Sequence, residues 1–566
     1  MYLLRTVISY SDFKILIALT FTMLLRNTVC YSQDLEQIDL KHPFEFSGAI
    51  HLQMQLYNAN NIEPRSKDFT YVLSGSPLLT VAGVSMPFSF TLSNNNNSFY
   101  QPFNQFGISP KYKWATLHLG YRNVFFSPYT LAGHTILGVG AELNPGKLRF
   151  GFMMGRVTRE TDGFNYLISD SVKYYKRKGL GIKLGVGDAD KFIDLSFFRA
   201  VDDTNSISDP LEFVSGAPEA NASLGLSWKL PLGKNISWNT DAGVSLFTRD
   251  MLALQPEFDS TTEKTFQKLN FLLPVNFSSQ AYAATKTTFL YQQKTYNLKL
   301  TGEYIMPDYK SLGAYYFTTD LFKIAIGGGF KFWENKIVMQ IETGIQHNNL
   351  DNTEKNTTNQ FSGTFNISVN PDPMWGFDIG ATNFSSIQKP TITATLDTLG
   401  FSQVQQQAHV NFRYIIIGKS WTQAILPFYQ YQRIQELYDN SIADVATDMH
   451  LFNLSYSLIY NSIGLSITPA FNFLKFINPY LNNTSTGFAI TVSKPFLENT
   501  LTPSLNLNYN AGSIANIFVT TLMANVRVYK KHNIQLSVNY INNTDNNEAQ
   551  NNYSETRASI GYAYSF

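Results

Sequence analysis

The stretch Arg557-Ala-Ser-Ile-Gly-Tyr-Ala-Tyr-Ser-Phe566 decides the reading of this chain. Ala558, Ile560, Tyr562, Tyr564 and Phe566 fall on one face, and Arg557, Ser559, Gly561, Ala563 and Ser565 on the other. That is period-two alternation, the mark of a strand with one apolar and one polar face. The preceding segment repeats it, with Ile534, Leu536, Val538 and Tyr540 against Gln535, Ser537 and Asn539. Before that, Leu522, Ala524, Val526 and Val528 oppose Asn525 and Arg527, and Lys530-Lys531-His532-Asn533 joins the two as a hairpin with a basic tip.

The unit recurs upstream. Phe322, Ile324, Ile326, Phe330 and Phe332 alternate with Lys323, Ala325, Gly327, Gly329 and Lys331, then turn through Trp333-Glu334-Asn335 into Ile337, Met339 and Ile341. Leu117, Leu119 and Tyr121 oppose His118 and Arg122, and Asn144-Pro145-Gly146 is a tight-turn signal. Short links fall at 144–147, 187–191, 232–235, 333–335, 370–373, 418–420, 461–462, 495–499 and 529–533. Long polar links fall at 202–218, 249–268, 347–359, 385–402, 435–448 and 542–554. Short turns at one end and long loops at the other are what a membrane barrel requires. The count runs to about two dozen strands, and the preference for even numbers points to 24 or 26. The expected fold is therefore all-β: one large antiparallel up-and-down transmembrane barrel over 44–566.

The alternation of short and long links breaks at Tyr71–Lys113. The expectation is that part of Asn94–Lys113 folds inward as a constriction or forms a ledge at the short-turn end; an ordinary irregular loop would account for it equally.

Composition agrees. Of 566 residues, 44% are apolar but only 15% charged, and beyond the first thirty no stretch approaches the length of a membrane helix. In hydrocarbon every backbone N–H and C=O must be paired internally, which leaves the closed barrel. A net charge of +1 gives no field to gather nucleic acid, so none is expected as a partner. Residues 1–32 read as a secretory signal, with Arg5 and Lys14 around the start of the apolar run Ile15–Leu25 and a cut after Ser32. The only cysteine, Cys30, would leave with it. Residues 33–43 would form a short periplasmic segment.

Tyr562-Ala563-Tyr564-Ser565-Phe566 resembles the terminal strand signal of Gram-negative outer-membrane proteins. The run Gln101-Pro-Phe-Asn-Gln-Phe-Gly-Ile-Ser-Pro-Lys-Tyr-Lys-Trp114, followed by Leu117-His-Leu-Gly-Tyr-Arg122, resembles outer-membrane proteins of Bacteroidota. The resemblance implies export to the outer membrane, lipid around the wall, and the barrel assembly machinery as a partner that reads Tyr562, Tyr564 and Phe566. With strands beginning near Phe44 and alternation running to Phe566, the expectation is a barrel with neither the plug domain of a TonB-dependent transporter nor a following peptidoglycan-binding OmpA-like module.

No cofactor, metal or catalytic motif stands out. Ile326-Gly-Gly-Gly-Phe330 lies mid-strand and not between a strand and a helix, so it is no phosphate loop. His118 and His134 could in principle meet a serine, although no spacing supports it. Asp188 and Asp190 read as a polar hairpin tip. Arg122, Lys323, Lys331, Glu342, Arg527 and Arg557 are the charged residues expected to face the lumen, where cations could bias a channel toward anions or pair with carboxylates such as Glu342. The functional expectation is a non-enzymatic channel or transport component of unspecified substrate. The alternative is a non-conducting subunit of an envelope complex for secretion, nutrient uptake or barrel assembly.

Overall fold

The computed structural model describes residues 44–94, 104–165, 170–207, 217–255, 272–314, 319–353, 356–390, 401–438, 445–529 and 531–566. The proposed signal, the segment 33–43 and Cys30 lie outside them. The described chain is a single closed antiparallel barrel. Its large sheet contains 29 segments, of which three collinear pairs count as one wall strand each: Phe44–Ser47 with Ala49–Asn60, Phe69–Gly75 with Leu78–Val81, and Gln105–Ile108 with Lys111–Tyr112. The wall therefore has 26 strands. Helical structure is confined, among the described residues, to the short turns Thr204–Ser206 and Ala549–Asn551.

Closure joins the first strand to the last. Ala49 through Asn60 pair antiparallel with Ser565 through Ser554, and the rings of Phe46 and Phe566 stack at 4.2 Å. At the other end of this seam the buried Glu555 carboxylate meets Arg65 at 2.9 Å and Arg557 at 3.4 Å. Closing the sheet removes the edges on which other chains could add strands.

Each strand presents two faces. One carries exposed aliphatic side chains, among them Leu195, Leu224, Leu226, Val244 and Ile326. The other holds most of the charged side chains along the wall, with hydroxyl groups and the fully buried Phe198 and Met153. Register carries both faces from strand to strand, as in the row Asp194, Ser227, Asp241, Lys286, Glu303, Lys323, Gln346 and Gln360, with shifts only at Arg156/Thr158 and Val369/Asp372 among the described residues. A one-residue slip would exchange the faces, so alternation itself fixes the register.

The link pattern needs two corrections. Tyr71–Lys113 does not interrupt the up-and-down path. Ala82 and Gly83, at φ 49° and 81°, make a two-residue hairpin, and Lys113 at φ 51° sits in the next one. Gln105–Ile108 and Lys111–Tyr112 are wall strands and neither a constriction nor a ledge, because their backbone is paired on both sides; Asn95–Phe103 lie outside the described residues. Nor is every link at the long-loop end long: Ser513 and Ile514 alone join Leu501–Gly512 to Ala515–Val528.

Candidate functional site

Two links at the long-loop end fold over the inner face of the wall and meet each other: Val124–His134 and Met306–Ala314. Their composition explains it. Most long links are rich in Asn, Thr and Asp, whereas Val124-Phe-Phe-Ser-Pro-Tyr-Thr-Leu-Ala-Gly-His134 is mostly apolar. Phe126, Tyr129 and Leu131 are buried, together with Leu312 from the second link and Phe198, Phe247, Tyr282 and Ile305 from the wall. Burying each such side chain contributes about 1.5–3 kcal/mol over leaving it in water.

Hydroxyl groups fix where the links lie. Tyr309 Oη donates to the Tyr129 carbonyl at 2.8 Å and Ser311 Oγ to the Thr130 carbonyl at 2.8 Å. Ala132 N–H donates to the Gly313 carbonyl at 2.8 Å. The wall supplies the remaining partners. Ser245 Oγ donates to the Lys310 carbonyl at 2.5 Å, Leu312 N–H to Asn221 Oδ1 at 3.1 Å, and Thr130 and Ser196 share a hydroxyl bond at 3.1 Å. A buried loop must satisfy its backbone in this way.

The wall makes room by having no side chains where the links pass. A Cβ on Gly243 would stand 2.5 Å from Tyr129 Cβ, and one on Gly225 would stand 2.8 Å from Thr130 Cγ2. Register puts both in one inner row, Gly151, Lys183, Ser196, Gly225, Gly243 and Ala284. The Lys183 ammonium lies 5.4 Å from the Phe126 ring centroid, so the one long member of the row caps the loop.

A compensated charge network flanks the links. Arg177 grips Asp202 through two bonds of 2.7 and 2.9 Å and reaches Glu219 at 2.8 Å; Glu219 in turn pairs with Lys310 at 2.5 Å. Arg149 grips Asp194 likewise at 2.7 and 2.9 Å. Farther round, Lys286 pairs with Glu303 at 3.3 Å. His134, fully buried just before the strand Thr135–Leu143, is pushed down to about 3 by burial and by the nearby Arg177, which keeps the imidazole neutral.

The charged residues singled out in the sequence are scattered and do not converge. Arg122 Nη1 donates to Ser89 Oγ at 2.7 Å. Lys323 stands across from Glu303, Lys331 across from Val338, and Arg527 across from Asn533. Glu342 lies 4.0 Å from Lys299, and Arg557 joins the seam at Glu555. Tyr562 Oη shares a 2.8 Å bond with His532 Nδ1, and Tyr564 packs against both His532 and Phe566. Asp188 accepts from the backbone N–H groups of Asp190 and Lys191 at 2.9 Å each, which holds its carboxyl below the usual range and closes the turn.

His118 does meet a serine: its Nδ1 shares a 2.9 Å bond with Ser109 Oγ, and its Nε2 lies 3.6 Å from Glu142. The three sit on successive wall segments. Acyl transfer also needs oxyanion donors, commonly the nucleophile's own backbone N–H. Ser109 N–H is bonded to the Pro87 carbonyl at 3.0 Å, and the trio ties three neighbouring wall strands together. No cluster of three or more metal-ligating side chains occurs among the described residues.

The sequence reading missed both inward links and the charge network. The signal was present in the apolar composition of Val124–His134 and in small residues at alternate positions of four strands. It becomes legible only when register aligns those positions.

No family model matches the chain. No curated protein matches it either. Among solved structures, OccAB4 of Acinetobacter baumannii matches with a TM-score of 0.30 at 10% identity, over 69% of this chain and 98% of that one. OpdK of Pseudomonas aeruginosa, solved with vanillate, matches at 0.27 and 11% identity, over 62% and 94%. The FrpB iron transporter of Neisseria meningitidis (F3-3 variant) matches at 0.37 and 10% identity, over 94% and 82%. The barrel assignment rests on this chain's own strand register.

Proposed function

We propose that the chain is an outer-membrane barrel forming a water-filled passage, narrowed on one side by the links Val124–His134 and Met306–Ala314. The observation that carries this reading is the locking of the two links to each other and to the inner face, since a barrel of this strand number is too wide for wall side chains to fill. The exposed aliphatic outer face suits lipid, and the polar inner face suits water. In this reading residues 1–32 direct export, Tyr562, Tyr564 and Phe566 present the final strand to the barrel assembly machinery, and Arg122, Lys323, Lys331, Glu342, Arg527 and Arg557 face the passage.

Reconstitution in planar bilayers tests it. Discrete open-channel currents are expected, with a larger unit conductance when Ser127–Ala132 is replaced by a short glycine-serine link. A barrel that stays silent in both forms and co-purifies with other envelope proteins overturns the passage and favours a scaffold subunit.

A further inference from the structure

We infer that the passage serves a neutral, hydroxyl-rich solute of the sugar class; this rests on the passage proposed above. The inference comes from the wall on which no described link packs. On the strand Phe401–Ile417 the inner positions read Gln403, Gln405, Gln407, His409, Asn411 and, toward the short turns, Arg413; across from the first five stand Glu436, Ile434, Gln432, Gln430 and Phe428. Farther round, Ser504, Asn506, Asn508 and Asn510 share the inner face with Ser493, Thr491, Ala489 and Gly487. Beyond them come Thr521, Asn539, Ser537, Ser559, Gln535 and Gly561.

Among the described residues, the inner face from Val445–Tyr460 to His532–Asp545 carries charge only at Arg527, near the short turns, and Asp545, at the opposite rim. The wall between them is amide, hydroxyl, small and apolar. Its polar side chains are only partly used by one another: Asn506 Nδ2 donates to Thr491 Oγ1 at 2.7 Å and Asn539 Nδ2 to Thr521 Oγ1 at 2.9 Å. A side-chain amide carries two donors and an acceptor with two lone pairs, so each keeps capacity for a passing ligand.

The opposite wall holds its guanidinium groups largely as ion pairs. Arg149 is matched by Asp194, Arg177 by Asp202 and Glu219, and Lys286 by Glu303, whereas Lys183 lies over the Phe126 ring and Lys331 across from Val338. Between Arg527 and Asp545 an ion that gives up hydration to touch the amide wall meets no charge of opposite sign among the described residues. A polyol exchanges hydrogen bonds with water for hydrogen bonds with amides and hydroxyls, at little net cost. The arrangement thus discriminates by charge while staying permissive to hydrogen-bonding neutral molecules.

Proteoliposome swelling with glucose, gluconate and glucosamine, three solutes of similar size and different charge, tests the inference on the intact protein. Glucose is expected to enter several-fold faster than either charged analogue, and a KCl gradient to give a reversal potential near zero. Gln405→Ala/Gln430→Ala/Asn506→Ala is expected to slow glucose entry while leaving KCl conductance unchanged. Gln405→Glu/Gln430→Glu is expected to shift the reversal potential toward cations and to raise glucosamine entry relative to glucose. A conducting barrel that admits gluconate or glucosamine as fast as glucose, or whose glucose entry ignores both variants, overturns the neutral-solute inference and leaves the passage standing. A barrel silent toward every solute overturns the passage and the inference together.

Discussion

Two walls of one barrel handle a polar interior in opposite ways. From Leu148–Thr158 to Tyr296–Ile305, the inner face carries paired charges, rows of small residues and two links packed onto it. From Phe401–Ile417 to His532–Asp545, it carries mainly amide, hydroxyl and apolar side chains, with charge at Arg413, Glu436, Arg527 and Asp545, and no described link lies on it. The backbone is the same antiparallel ladder in both, so the difference lies entirely in what alternate side chains do. Glycine and serine at inner positions invite a loop; asparagine and glutamine there leave the space to solvent. In the proposed passage one wall would narrow the lumen and the other would line it with hydrogen-bonding groups.

The largest expected effect comes from removing that difference. Replacing Ser127–Ala132 by a short glycine-serine link takes away Tyr129, Thr130 and Leu131, and unit conductance should rise several-fold while the barrel still shows heat-modifiable mobility on mild SDS gels. An unchanged conductance would show that the links do not bound the passage. A milder version of the same break is Gly243→Leu. Its side chain must enter the space of Tyr129, and overpacking of this kind costs about 1–3 kcal/mol. Protease cutting within Val124–His134 and a rise in conductance should follow. Gly561→Ala on the last strand is the paired control: the nearest atom to its new Cβ would be 3.7 Å away, an ordinary contact, so neither readout should move.

Acid offers a reversible way to loosen only the packed wall. His134 is depressed from 6.5 to about 3, so below about 6.5 an unfolded or displaced link binds a proton that the packed link refuses. Packing is then fully stable above about pH 6.5 and weakens as pH falls toward 3. Channel noise and protease access at the links should increase between pH 6 and pH 4, and His134→Gln should flatten that dependence. Asp202→Asn is expected to have a smaller electrical effect, leaving Arg177 matched by Glu219 alone and turning the reversal potential toward anions. Smallest of all is Gln405→Ala alone, where stability should change by no more than about 0.5 kcal/mol, because the position is an isolated surface-type substitution facing solvent. A large loss there would mean that the amide wall is a structural network and no surface for solute.

Much of this architecture was legible in the sequence. Alternation from Phe322 to Ile341 and from Leu522 to Phe566 gives antiparallel strands with one apolar face, since a strand's side chains alternate whatever its neighbours are. Turn chemistry at Asn144–Gly146 placed a hairpin end correctly. Of the stretch expected to form a constriction or ledge, residues 105–112 are wall, because tight turns at Ala82-Gly83 and at Lys113 keep the up-and-down path, and Asn95–Phe103 lie outside the described residues. Positive φ at Ala82 and Lys113 is atypical for those residues, so their sequence carries no turn signature.

What the sequence by itself determined is the class: an antiparallel barrel of about two dozen strands, apolar outside and polar inside, because both properties follow from local alternation and from short turns. What only the tertiary structure decided is which links turn inward and which charges cancel. Tyr309 finds Tyr129 across 180 positions of chain, and Lys310 finds Glu219 across 91. Such contacts depend on the register of every intervening strand. The cradle of Gly225 and Gly243 is a single surface only after register has brought the two glycines side by side.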